Sequence, residues 1–197
     1  VLRLLLLIVV FASLVDVRAA EPHYPTILAS LVDPAKIDTL KGDRATNPRL
    51  RKMAYWLEMA CRAGNNPAEV ILSAQQIAGV AGSARAEADR AALVRNRLIL
   101  ERLGCFTEEG LANLRRGKAP RITLGPYAGD IVHVDHIIPR AVAPELDLRI
   151  YNLEFMPATL NTRKGAGIGV RQLQLARKWH AAGLLSDSGL RAVLAHE

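Results

Sequence analysis

Cysteine is scarce in this chain. Of 197 residues only Cys61 and Cys105 carry a thiol, and no CxxC pair occurs. A zinc knuckle built on paired cysteines is therefore not indicated. Aromatic residues are few, at 5%, so the core must be aliphatic, and Trp56 and Trp179 read as core residues, not as platforms for stacked bases. Internal repeats and low-complexity tracts are both lacking. So is a long apolar run: Leu4 to Val15, broken by Ser13, is shorter than the roughly 20 residues a membrane helix requires. Acidic residues are outnumbered by basic ones, 19 to 26, for a net charge of +7. That surplus leaves three readings open: nucleic acid as partner, an anionic membrane, or plain solubility. What is abundant is aliphatic bulk, since half the residues are hydrophobic. Such a chain can pay for folding and is not disordered. Its length suits one core with room for a helical extension.

The first 20 residues have the layout of an export signal. Arg3 precedes the apolar stretch, and Val17-Arg18-Ala19 offers small residues for cleavage near Ala19 or Ala20. A secreted or periplasmic protein is expected, with a retained membrane anchor as the alternative. Cleavage would remove Arg3, Arg18 and Asp16, so the chain stays basic and needs no membrane afterwards. Cys61 and Cys105 leave two possibilities, a disulfide in an oxidising compartment or two buried thiols.

Residues 21–48 are rich in turn formers and predict a loosely structured lead-in, with a short helix around Ile27–Val32. Residues 49–116 predict a helical region. Leu50, Met53, Ala54, Leu57 and Ala60 recur at helical spacing, and Pro67 opens a second helix. Ser83, with Glu87 near the capping-box position, opens a third that runs to Leu103. On it Ala91, Leu93, Val94, Leu98 and Leu100 are expected inward, and Arg85, Arg90, Arg95, Arg97 and Arg102 on a solvated face. A short helix over Glu108–Arg116 follows. Residues 117–197 then switch to strands at Arg121–Leu124, Ile131–His136 and Asn152–Met156. Pro157 starts a helix carrying Asn161 and Lys164, and two helices close the chain, Val170–Ala182 and Leu190–His196.

Chemistry concentrates between Val134 and Gly165. Asp135 supplies an anionic oxygen of the kind magnesium prefers. His136 can be neutral near pH 7 and take a proton from an attacking water. Asn161 adds a carboxamide oxygen that completes a two-ligand site for a cation keeping most of its waters. Asn152 is placed to hold the connecting loop and the imidazole. Lys164, three residues after Asn161 on one helix face, can approach a phosphate oxygen. Arg140 and Arg163 are further phosphate candidates, and Arg116, Lys118 and Arg121 belong to the basic cluster just before the motif. His133 reads as a strand residue beside the site, and His23, His180 and His196 as surface histidines.

Asp135-His136-Ile137-Ile138-Pro139, then Asn152-Leu153, then Asn161-Thr162-Arg163-Lys164-Gly165 resembles the HNH endonuclease motif of the ββα-metal nucleases. The variant with Asn in third place is similar to the HNH domain of CRISPR effector nucleases. The resemblance covers about residues 115–167. It implies an α+β, predominantly helical fold, with a ββα-metal finger in the C-terminal half packed on a helical N-terminal region. It also implies His136 as general base, Asp135 and Asn161 as metal ligands, and Asn152 as the middle, structural asparagine. The implied cofactor is Mg2+, or another divalent cation such as Mn2+. The implied substrate is DNA, with RNA as the second candidate. Two features depart from many such proteins: no CxxC pairs bind structural zinc, and an export signal precedes the motif. The rival expectation is a non-catalytic nucleic-acid-binding protein on the same scaffold.

Overall fold

The computed structural model describes residues 23–196; the export-signal reading falls on residues outside that range. Among the described residues the protein is α+β and mostly helical. Nine α-helices surround one two-stranded antiparallel sheet. No helix among them is long and apolar enough to cross a membrane.

In the segment expected to be a loose lead-in, the short helix expected around Ile27–Val32 is present and longer, as α1 (Tyr24–Val32), and a second helix, α2 (Pro34–Asp38), follows it. Its prolines start helices instead of breaking them. Pro25 and Pro34 stand in first turns, where a missing N–H costs nothing. Asp33 ends α1 in an extended conformation, as a residue before proline prefers, and then caps α2 by accepting the Ala35 N–H at 3.0 Å. Tyr24, Leu28, Ala29 and Val32 bury one face of α1 against α3 (Asn47–Arg62) and α4 (Pro67–Ile77).

The expected periodicity of α3 is realised, with Leu50, Met53, Ala54, Leu57 and Ala60 all within 2% of full burial. Asn66 caps α4 through the Ala68 N–H, with Pro67 in its first turn. Ser83 caps α5 (Ala84–Arg102) by accepting the Ala86 N–H at 3.1 Å. Glu87 comes one residue too late to close the box and pairs with Arg90 instead.

The face assigned to α5 needs correction. Leu93 and Leu100 are buried, but Ala91 and Leu98 are exposed, and the buried face includes Asp89, Asn96 and Arg97. The arginines do not form a solvated row. Arg97 is 7% exposed and bridges Glu58 at 2.8 Å and Glu101 at 3.1 Å. Arg85 reaches Asp38 at 2.8 Å, and Arg95 donates to the Leu153 carbonyl. The polar side of α5 therefore grips other segments of the chain.

After α6 (Glu108–Arg115), the expected strand Arg121–Leu124 is reduced to a single bridge, Arg121 to Ile131. Two strands do form: β1 (Val132–His136) and β2 (Leu153–Pro157), paired with Val134 opposite Phe155 and Asp135 opposite Glu154. The loop between them contains two short 3-10 turns, Pro144–Leu146 and Ile150–Asn152. β2 runs directly into α7 (Ala158–Lys164), and α8 (Val170–Ala181) and α9 (Asp187–Leu194) finish the chain. α9 starts earlier than expected because Ser186 caps it through the Gly189 N–H.

One continuous apolar cluster runs from Tyr24 to Val193 and takes in both the helical region and the strands. Trp179 is core, edge-on to Tyr151 at 5.0 Å, while Trp56 is half-buried against Tyr55. Of the two cysteine possibilities, the structure has free thiols. Burial pushes the Cys105 thiol up to about 12, which makes it inert.

Candidate active site

Three side chains of α5 set the position of β2 and the turn before it. Asn96 donates to the Leu153 carbonyl at 2.9 Å and accepts the Phe155 N–H at 2.8 Å, so its carboxamide acts as a short extra strand along β2. Asp89 accepts the Tyr151 N–H at 3.0 Å. Arg95 adds a second donor to Leu153. β2 in turn holds β1 in register.

Alternation along β1 then divides its side chains. Val132 and Val134 enter the core, and His133 and Asp135 take the opposite face. α7 crosses that face. Its Asn161 and Lys164, three apart, both turn toward β1, as their spacing requires. Asn161 donates from Nδ2 to His133 Nδ1 at 3.2 Å. Lys164 Nζ lies 2.5 Å from Asp135 Oδ2 and donates to the His136 carbonyl, also at 2.5 Å. The lysine is thus spent on the carboxylate expected to hold metal, and not left free for phosphate.

His136, at the end of β1, turns toward the loop. Its Nε2 lies 3.0 Å from the Asp147 carbonyl oxygen and 3.0 Å from Asp147 Oδ1. A carbonyl oxygen can only accept, so Nε2 is the nitrogen that donates there, and Nδ1 is the nitrogen not engaged by Asp147. Asp147 escaped the sequence reading because nothing distinguishes it from other acidic residues in a loop.

Asn152 is fully buried and holds that loop shut. Its Oδ1 accepts the Ile138 N–H at 2.8 Å, and its Nδ2 donates to Ile138 O at 3.0 Å and Leu146 O at 3.3 Å. Both amide hydrogens are engaged there, so Asn152 positions backbone and does not itself hold the imidazole. Of the two tasks expected of it, holding the connecting loop and holding the imidazole, the hydrogen bonds give the first.

His133, Asp135, His136 and Asn161 line one cleft of about 510 Å³. The same cleft is lined by Arg44, Asn47 and Arg51, before and within the first turns of α3, which the sequence reading did not single out. Of the basic residues expected to meet phosphate, Arg140 is paired with Asp43 at 2.5 Å, Arg116 donates to Asn113, and Arg121 donates to the Gly129 carbonyl. Lys118 and Arg163 are exposed, and none of these five lines the cleft.

Asp135 and Asn161 are hard oxygen donors on one cleft, the type a magnesium ion takes. The amide nitrogen of Asn161 is used on His133, which leaves its oxygen for a cation. The Asp135 carboxylate already lies against a positive group, the Lys164 ammonium. Among the described residues no group of three or more His, Cys, Asp or Glu is placed to hold a metal ion. The donor set therefore fits a cation that retains waters, provided Lys164 gives way.

Compared with known proteins, the chain matches no family model, no curated protein and no solved structure.

Proposed function

We propose that this protein is an exported, metal-dependent endonuclease of the HNH type, hydrolysing phosphodiester bonds of DNA, with RNA as a second substrate. The observation that carries the reading is the placement of His136. Its Nε2–H is held by two oxygens of Asp147, and it lines the cleft shared with Asp135 and Asn161. A neutral imidazole so fixed offers Nδ1 as a general base. The strand–loop–strand–helix order around it supports assignment as a ββα-metal finger. The extracytoplasmic setting rests on the sequence of residues 1–20 alone.

In the proposed reaction His136 Nδ1 takes a proton from water as the water oxygen bonds to phosphorus. The bond from phosphorus to the 3′-oxygen breaks, and the departing oxygen takes a proton from solvent water to become a hydroxyl. Asp135 and Asn161 would hold the Mg2+ or Mn2+ ion, whose chemistry when bound is to stabilise charge on the phosphate and the leaving oxygen. Asn152 keeps the Ile138 and Leu146 backbone in place, and Asp147 keeps the imidazole in one tautomer.

Plasmid cleavage in magnesium and in EDTA tests the proposal. His136→Ala is expected to abolish cutting while DNA binding persists; cutting at the wild-type rate would sink the assignment. The Lys164 ammonium on Asp135 favours the other reading, a metal-free nucleic-acid binder. Wild-type protein that binds DNA but never cuts it in any divalent metal would establish that alternative.

A further inference from the structure

The cleft is also lined by a cation that the proposed reaction does not use, Arg51 of α3. Several arginines elsewhere in the protein are matched to carboxylates, though Arg49 on the same helix donates only to the Ser30 carbonyl. Arg85 and Arg97 each reach one at 2.8 Å, and Arg149 reaches one at 2.6 Å. Arg51 reaches none among the described residues. Its Nη1 donates to the Gly117 carbonyl at 3.3 Å, and its Nε is buried without a partner. Burial works against its charge, and no fixed anion offsets that cost.

Asn47 stands beside it in the first turn of α3. It is 8% exposed and lines the cleft, yet its carboxamide makes no hydrogen bond among the described residues. α3 is 16 residues long, and its N-terminus has no side-chain cap, so the positive end of the helix is open at the same place. Gly117 permits this closeness. With φ at +74°, a side chain there would meet Pro48 at 3.0 Å, so only glycine lets residues 117–119 come against the start of α3.

A guanidinium without a carboxylate, a carboxamide with no protein hydrogen bond among the described residues and a helix end without a side-chain cap thus converge on one cleft. Each supplies donors or positive charge, and the one acceptor that Arg51 has is the neutral Gly117 carbonyl. We propose that the start of α3 is a phosphate subsite of the cleft, in which Arg51 and Asn47 receive a backbone phosphate of the nucleic acid next to the one facing His136. Arg44, exposed and 3.8 Å from Asp43, belongs to the outer rim. This rests on the nuclease reading, and it gives the helical region a part in substrate binding beyond support.

The test uses the full chain with Arg51→Gln, Arg51→Lys and Asn47→Ala, and a labelled DNA duplex of about 20 base pairs, a length covering several phosphates. Fluorescence anisotropy in EDTA is titrated with salt. Arg51→Gln should weaken binding about tenfold and lower the slope of log affinity against log salt by about one. Asn47→Ala should weaken binding less and leave the slope unchanged, and Arg51→Lys should keep the slope. In magnesium, Arg51→Gln should raise KM more than it lowers kcat. Its melting temperature should be unchanged or higher, because a desolvated charge has been removed. Unchanged binding and slope overturn the proposal, and so does a binding loss that tracks a falling melting temperature. Because binding is read without metal, failure of the catalytic reading would show separately, as His136→Ala that still cuts.

Discussion

Lys164 Nζ and Asp135 Oδ2 lie 2.5 Å apart, and Asp135 stands directly opposite Glu154 across the two strands. Two carboxylates in that register repel unless each has its own cation. Glu154 has Arg171, bonded through both carboxylate oxygens at 2.9 and 2.6 Å, and Asp135 has Lys164. The ion pair is therefore part of the fold as well as a neighbour of the proposed chemistry.

Replacing that lysine by methionine leaves Asp135 without its ammonium. In EDTA, Lys164→Met should lose about 1.5–3 kcal/mol, the range for a hydrogen bond to a charged group. Magnesium should return part of the loss, since a cation on Asp135 binds the folded state only. Urea unfolding with EDTA and with magnesium measures both effects. The variant's midpoint should rise with magnesium more than the wild type's; equal responses would show that Asp135 does not take the ion.

Asn96 is the second lever. Asn96→Ala strands the Leu153 carbonyl and the Phe155 N–H in the interior, at about 1–3 kcal/mol for each unsatisfied group. Arg95 still donates to Leu153, so the expected loss is nearer the low end for that carbonyl. A total loss of about 2–4 kcal/mol in urea unfolding is predicted from those two bonds. Hydrogen exchange should localise it: the Phe155 amide should lose protection while α1 and α4 keep theirs.

The same residue shows why part of the fold could not be read from sequence. Periodicity counts apolar residues, so it located α3, whose buried face is aliphatic. On α5 it failed, because that helix buries Asp89, Asn96 and Arg97 to hold residues far away in sequence. Prolines misled in residues 21–48, where Pro25 and Pro34 begin helices. The catalytic candidates were legible because Asp135, His136, Asn161 and Lys164 belong to one local strand–loop–strand–helix unit. Arg51 and Asp147 were not. Arg51 meets residue 117 only through tertiary packing, and Asp147 is placed by the loop that Asn152 ties down.

Asp89 makes the helical region sensitive to pH. It is almost wholly buried, and desolvation raises its carboxyl to about 7, outweighing the nearby Arg85 and the Tyr151 N–H bond. An unfolded aspartate titrates near 3.8. Between those two values the folded state holds a proton that the unfolded chain has released. Stability therefore falls as pH rises through that window. The contribution is fully present below about 3.8 and is lost as pH passes about 7. Asp89→Asn keeps an acceptor for the Tyr151 N–H but removes the titration. Urea unfolding at pH 5, 6 and 7 should show a decline in the wild type that is smaller in the variant. Because Asp89 holds the Tyr151 N–H just before Asn152, opening this turn exposes the carboxylate, and that opening becomes easier as the buried group loses its proton. Protection of the Tyr151 amide from exchange should then fall with rising pH in the wild type and stay flatter in Asp89→Asn. Identical slopes in the two proteins would mean that Asp89 is ionised throughout, with Arg85 as its counter-ion.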